Sequence, residues 1–479
     1  MSCLLIFTDL FAADEQSIDM TVYHEISINP VLRMLSPKES AVVTVRVFTK
    51  KPAMTENEIR ALIRDIKLNK IDPNDYEFPL KPIETPVLNA NVKLTASKGS
   101  LDLVQNNKDG TYTAKFTNSG EAGIVLIKVL VNGVKGRQAI GVTVLPDYKN
   151  KFFIAKSELG KKLFHDVNLS RPKGQACASC HDSATAFVDP DTEFPTSLGA
   201  LGASTFGSRN APTVRYAALI PERYTSDRIT YGGLFWDGRA KNLIEQAKQP
   251  FLNPLEMNQP NLDAVVEQVS KAVYAQEFRD VFGEDAFINT EQAYDYIAKA
   301  LAAFQQSSEM SPFTSKYDEV QRGEESFTEA EARGFKIFSG PLCAKCHTTP
   351  IDKGVELFSN FTYETIGSPA NTSSKFIDKN PNFIDYGRGA ITQLPRDTGK
   401  FRVPTLRNIA YTAPYFHNGR FSTLKEVIKF YSEGNTEAPE SSNADEFYGD
   451  DVRFTDDEIE DLVSFFHTLT DKDILEKIQ

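Results

Sequence analysis

The sequence predicts a multidomain protein in which an N-terminal β-sandwich precedes two mainly α-helical domains. Three observations carry that prediction. Apolar residues alternate with a period of two between about residues 20 and 147, then follow a helical period from Lys151 onward. The pentapeptide Cys-x-x-Cys-His occurs twice, at Cys177–Cys180–His181 and Cys343–Cys346–His347, once in each half of the helical part. A length of 479 residues suits about three domains. The composition, 41% hydrophobic and 25% charged, is that of an ordinary folded protein. The net charge of −12 is spread along the chain, which argues against nucleic acid or an anionic membrane as a partner. No apolar run reaches the ~20 residues of a membrane-crossing helix.

Residues 1–19 stand apart. Residues 3–13 (CLLIFTDLFAA) are apolar and end in small side chains, yet they lack a basic n-region and contain Asp9. They read either as a damaged export signal or as a disordered lead-in. Cys3, the odd thiol, belongs with that leader, and no full signal supports lipid attachment to it. Residues 20–147 then supply strands at 41–48, 92–96, 110–117, 122–131 and 138–144, separated by turn signals such as Asp109-Gly110 and Asn132-Gly133. A helical stretch near 55–67 does not fit this plan and reads as an insertion. The run KLTASKGSLDLVQNNKDGTYTAKFTNSGEAGIVLIKVLVNG resembles bacterial immunoglobulin-like modules of surface proteins, which implies a small β-sandwich. It carries no catalytic constellation and is expected to be an interaction or spacer module with an unidentified partner.

The helical part offers candidate helices at 156–166, 241–252, 262–282, 291–306, 329–339, 424–433 and 456–470. Thr328 and Thr455 each precede acidic first turns, as N-caps do. Long loops bearing Gly and Pro separate these helices. The twin pentapeptide explains that economy, because Cys-x-x-Cys-His is the attachment signature of c-type haem. Each thiol adds across one haem vinyl group, and the adjoining histidine binds the iron. Haem then fills much of the core, as in class I cytochrome c domains, expected here at 150–310 and 311–479. A lone Cys-x-x-Cys could be half a zinc site or a redox dithiol, but a zinc ribbon needs two such pairs to converge. Covalent haem attachment implies export, to the periplasm or beyond, with association to a membrane or the cell surface left open.

The ordered runs LGKKLFHDVNLS, CASCHD, GSRNAPTVRYA, FWDGRAKNLIEQAKQP, NPLEMN, CAKCH, FRVPTLRNIAYTAPYFHNG and LKEVIKFYSEG resemble the bacterial dihaem cytochrome c peroxidase and MauG family. The resemblance covers nearly all of 156–471 and implies roles for particular residues. Glu256 matches the family's distal glutamate, a base for peroxide over the open face of the first haem. Gln246 matches a pocket glutamine that can bond a bound oxygen ligand, while Met257 is expected to pack. Trp236, the one tryptophan, matches the ring that lies between the two haems and can relay electrons. Asn210, Thr412 and Pro414 match a Ca²⁺ site built from one asparagine side chain and two carbonyl oxygens. Arg239, Arg402 and Arg407 are candidate partners for haem propionates.

Two departures bear on function. Classical peroxidases often carry a histidine in the loop before RNAPT, where it caps the first iron until reduction releases it. Residues 196–208 (TSLGALGASTFGS) have none, and no histidine lies between His181 and His347, so the first haem is expected to keep an open face. The position fourteen residues after His417 holds methionine in those enzymes, and here it holds Tyr431, as in MauG-type proteins. The resemblance to MauG-type proteins implies Tyr431 as the sixth ligand of the second iron, where a hard phenolate would lower the potential. No methionine follows Met310, and a packed helical aromatic beside Phe430 is the alternative. His417 matches a non-ligand position, and His467 is expected at the surface.

The expected activity is reduction of hydrogen peroxide, with a small c-type cytochrome or cupredoxin as electron donor. A MauG-type oxidation of a protein or small-molecule substrate is the alternative. A dihaem electron carrier or sensor is a third reading, and it would need both irons saturated. A homodimer is left open.

Overall fold

The computed structural model describes residues 22–51, 64, 83–132, 134–136, 139–191, 193–371, 373–433 and 453–478. They fall into two compact units that divide near residue 142. The lead-in with Cys3, Gly133 and Gln138, and the helical stretch expected at 55–67 apart from Arg64, lie outside the described residues.

The first unit is β-rich. Val22–Asn29 pairs antiparallel with Ser40–Lys51, Val22 opposite Thr49 and Asn29 opposite Val42. One face of the longer strand, Val43, Val45 and Val47, is fully buried, as period-two patterning requires. These two strands sit in a seven-stranded sheet with Thr111–Thr117, Ser100–Leu101 and Val134–Gly136, while Ile83–Pro86 and Gln105–Asn106 pair alongside. A four-stranded sheet runs Met34–Leu35, Ala139–Val144, Gly123–Val131 and Val92–Ala96. Val22–Asn29 was not among the expected strands. Its inward positions are His24, Ile26 and Ile28, and a buried histidine hides the alternation.

The second unit holds two helical domains with matching frames. Lys151–Phe164 begins five residues before expectation because the Asn150 side chain accepts from the N–H groups of Phe152 and Phe153 at 3.0 and 3.1 Å. It crosses Thr290–Gln305 so closely that a Cβ on Gly160 would lie 1.9 Å from the Ala300 carbonyl oxygen. The crossing recurs between Glu329–Phe338 and Asp456–His467, where Gly334 meets the Asp461 carbonyl at the same 1.9 Å. Thr328 and Thr455 cap those two helices in full capping boxes with Glu331 and Glu458. The likeness continues in the loops: APTVRY ends on left-handed Tyr216, φ 61°, and VPTLRN ends on left-handed Asn408, φ 64°. Phe235 and Phe416, φ 63° and 69°, open FWDGR and FHNGR.

The helix expected over 262–282 is two helices, Leu262–Ser270 and Ala275–Phe282. The Lys271 N–H closes the first on the carbonyls of Gln268 and Val269, and the Tyr274 hydroxyl is drawn to Asp166 at 2.6 Å. Pro341–His347, which carries the second pentapeptide, and Lys375–Lys379 are too short for periodicity to reveal. Leu163, Phe251, Val265, Ile297 and Phe304 centre the first helical core, and Phe338, Phe358, Leu462 and Phe465 the second.

Candidate active site

Each pentapeptide opens onto its own cavity. Cys177, Cys180 and His181 line one of about 560 Å³, and Cys343, Cys346 and His347 line another of about 210 Å³. The cysteine pairs therefore do not converge on a zinc site. Burial pushes the thiols up, to about 12 for Cys177 and Cys180 and about 11 for Cys343 and Cys346, so they stay neutral. Burial also drives both histidines down to about 4. His181 Nδ1 faces the Phe187 carbonyl at 3.2 Å and His347 Nδ1 faces that of Phe358 at 2.9 Å. A neutral imidazole that donates from Nδ1 leaves the Nε2 lone pair for a metal. The chemistry of this donor set fits two covalently held haems.

Glu256 joins His181 in the first cavity, together with Gln246 and Met257. Burial raises the Glu256 carboxyl, against a 2.7 Å hydrogen bond from Asn253 Nδ2 and the nearby Arg239 charge, which both lower it. The loop expected to lack a capping ligand is a hairpin, Leu198–Gly199 against Gly202–Phe206. It docks on the glutamate's own loop, with the Ala200 N–H donating to the Glu256 carbonyl at 2.7 Å. Gly199 permits this approach, since a Cβ there would stand 2.4 Å from the Leu255 carbonyl.

Trp236, Asn210 and Arg402 line both cavities. The indole Nε1 donates to the Asn210 carbonyl at 2.9 Å. Asn210 Nδ2 donates to the Pro414 carbonyl at 2.6 Å, which brings together two of the three expected Ca²⁺ ligands, and Thr412 lines the cavity beside them. Arg402 is buried, and burial lowers its pKa. Its Nε has no hydrogen-bond partner, and its NH1 reaches only the Val403 carbonyl at 3.2 Å. A carboxylate from a bound group would satisfy it. Arg239 lines the first cavity with its guanidinium 3.6 Å over the Phe235 ring, and bonds Gln249 at 3.0 Å and Asp237 at 2.9 Å.

Arg407 is placed differently from the propionate role proposed for it. It lines neither cavity, and its NH1 and NH2 each bond Asp318 at 3.0 Å while NH2 also reaches the Glu356 carbonyl at 2.8 Å. With Nε also donating to the Glu356 carbonyl at 2.9 Å, four of its five N–H donors are already engaged. Tyr431 lines the second cavity with His347, on the Leu424–Glu433 face that also presents Val427 and Ile428. His417 lines it too, stacked on Phe401 with centroids 3.6 Å apart, and His467 is exposed beside Tyr411.

One ionic network escaped sequence reasoning. Arg209 binds Asp385 through Nε at 2.6 Å and NH2 at 2.7 Å, and Asp237 through NH1 at 2.6 Å. Arg209 and Asp237 lie inside recognised runs, but Asp385 sits in a segment with no motif and had no signal of its own.

A profile described as di-haem cytochrome c peroxidase matches residues 154–326, and one described as cytochrome c matches 331–470. The methylamine utilization protein MauG of Paracoccus denitrificans is 40% identical over 346 residues, 66% of this chain and 89% of that protein. Cytochrome c551 peroxidase of Nitrosomonas europaea is 33% identical over 66% of this chain and 79% of its own length. Among solved structures, the diheme peroxidase BthA of Burkholderia thailandensis is 30% identical with a TM-score of 0.60, covering 66% of this chain and 86% of that one. This chain is an oxidoreductase that belongs to the di-haem cytochrome c peroxidase and MauG family, with a β-rich region ahead of the family's two cytochrome c-type domains.

Proposed function

We propose that this chain is a peroxidase whose chemistry takes place in the cavity shared by His181 and Glu256. The observation that carries the reading is a half-buried carboxylate beside the first pentapeptide, under a hairpin whose residues offer no ring nitrogen or thioether to cap an iron. Cys177, Cys180 and His181 would hold one haem, and Cys343, Cys346 and His347 the other. Once bound, the haems would supply iron for cleaving a peroxide O–O bond and would relay the two electrons that an external donor provides. Glu256 takes the proton from the attacking peroxide oxygen and returns it to the leaving one. Asn253 orients that carboxylate, Gln246 donates to an oxygen ligand, and Met257 packs. Trp236 connects the two cavities, which supports a role in passing electrons between them. Arg402 and Arg239 would pair propionates.

Tyr431, which lines the second cavity with His347, would be a further ligand of the second haem iron in this reading. An anionic oxygen donor there favours a second outcome, oxidation of a protein or small-molecule substrate, and the 40% identity to a MauG supports it. The acidic chain suits a basic small cytochrome or cupredoxin as electron donor. Asn210, already bonded to Pro414, would turn its amide oxygen toward Ca²⁺ beside the carbonyls of Thr412 and Pro414. Among the described residues no helix is long and apolar enough to cross a membrane, and covalent haem attachment supports export. The test is steady-state peroxide reduction by the haem-loaded protein with reduced cytochrome or cupredoxin. Peroxide-dependent oxidation of the donor is expected, and a protein that exchanges electrons with the donor but ignores peroxide would be a carrier.

A further inference from the structure

We infer that the first cavity accepts alkyl and aryl hydroperoxides as well as hydrogen peroxide, received at an apolar mouth that the second domain supplies. The inference rests on the peroxidase reading of that cavity. Among its lining residues, Phe383, Ile384 and Tyr386 are also open to solvent, at 37%, 45% and 50% exposure, so they form its mouth. All three belong to one segment that follows the Lys375–Lys379 helix. Contacts tie this segment to the hairpin above Glu256. Lys379 Nζ donates to the Ala203 carbonyl at 2.6 Å and lies 5.1 Å from the Phe206 ring centroid. Arg209, three residues past the hairpin, grips Asp385 in a two-pronged bond. The same hairpin holds the Glu256 backbone through Ala200. Mouth and carboxylate therefore flank one hairpin.

Charge at this mouth is cancelled from within. Arg209 divides its guanidinium between Asp385 and Asp237, and both carboxylates are buried. The large exposed side chains of the lining, Phe383, Ile384 and Tyr386, carry no charge, and the Arg239 guanidinium, 30% exposed, is already paired with Asp237. A neutral ligand therefore enters without an unpaired ion to desolvate. Hydrogen peroxide gains nothing from aromatic and aliphatic contacts. A hydroperoxide with an apolar substituent gains from covering them, as exposed apolar patches beside a site do. The balance is ROOH + 2 e⁻ + 2 H⁺ → ROH + H₂O. The O–O bond breaks, and Glu256 moves the proton of the terminal oxygen to the departing alkoxide oxygen. The terminal oxygen leaves as water, with two electrons from an external one-electron reductant and two protons from solvent.

The test compares kcat/KM for cumene hydroperoxide and hydrogen peroxide in the haem-loaded full chain, with ferrocyanide as reductant. Turnover of cumene hydroperoxide within about tenfold of hydrogen peroxide is expected. The double variant F383S/I384S should lower the cumene-to-hydrogen peroxide ratio about tenfold through a raised KM for cumene hydroperoxide, a size typical of lost apolar contacts. The product alcohol, 2-phenyl-2-propanol, should bind the resting parent chain in a calorimetric titration without turnover, and the variant about tenfold more weakly. Turnover of hydrogen peroxide with cumene hydroperoxide below about one hundredth of it, or a ratio the variant leaves unmoved, overturns the inference and spares the peroxidase reading. A loaded protein that reduces neither peroxide overturns both.

Discussion

Trp236 donates its indole N–H to the carbonyl of Asn210 at 2.9 Å, and Asn210 in turn bonds Pro414 and the carbonyl of His417 in the other domain. The ring is thus fixed by a chain of bonds that reaches from the first cavity to the second. Trp236→Phe keeps an aromatic ring and removes the hydrogen bond, at a cost of about 1 kcal/mol. A small fall in Tm with full haem content is expected. Stopped-flow mixing with peroxide should show the first absorbance change at its normal rate, while steady-state turnover slows. Turnover equal to the parent would mean that electrons take another path.

Glu256→Gln should keep haem and fold while slowing peroxide reduction by about 10²–10⁴-fold, the usual worth of a positioned proton carrier. The acid limb of kcat/KM should have its midpoint above the ordinary glutamate value, because burial raises this carboxyl. The sign for stability follows from the same shift. The folded chain holds this proton more tightly than the unfolded one, so the group costs stability as pH rises from its unfolded to its folded pKa. Glutamine mimics the protonated acid, so E256Q should unfold at the same or a higher temperature above that window. A variant less stable at high pH would contradict the shift.

Arg407→Leu tests the reassignment of that residue. Asp318 is fully buried, and burial alone would raise its carboxyl, but the Arg407 charge and hydrogen bonds outweigh this and hold it below the usual range. The pair therefore contributes stability above the unfolded pKa of Asp318, and that stability is lost as pH falls through the lower folded value. Removing the arginine strands a buried carboxylate and should cost about 3–5 kcal/mol at neutral pH. A variant that keeps its melting temperature but loses covalently attached haem would restore Arg407 to the propionates.

Much of this site was legible in the chain because its chemistry is local. Cys177, Cys180 and His181 lie within five residues, whereas Glu256 was picked out only by the family resemblance of NPLEMN, the loop in which Asn253 bonds its carboxylate. The strand Val92–Ala96 and the helix Leu424–Glu433 were found to the residue, since clean periodicity runs up to their ends. What stayed hidden depends on distant partners. Asp385 acquires its role only when Arg209, 176 positions away, folds against it. Arg407 matched a motif, yet its guanidinium is claimed by Asp318 from a short helix, Lys316–Arg322, that periodicity did not reveal. The break at Lys271 likewise rests on Tyr274 reaching Asp166, a contact across 108 residues.

Tyr431→Met should raise the potential of the second haem, by on the order of 0.1 V within the ~0.8 V that axial ligands command. Redox titration followed optically measures it. Peroxide reduction should survive the change better than any oxidation that needs the second haem at a high oxidation level. An unaltered titration would mean that the Tyr431 hydroxyl never reaches the iron.

Low-temperature EPR of the oxidised, haem-loaded protein bears on the whole account at once. One high-spin ferric signal, from an iron with His181 on one side and an open face beside Glu256, should accompany one low-spin signal that changes in Y431M. Two low-spin signals, with neither altered by Tyr431→Met, would contradict both an open first iron and an oxygen-closed second.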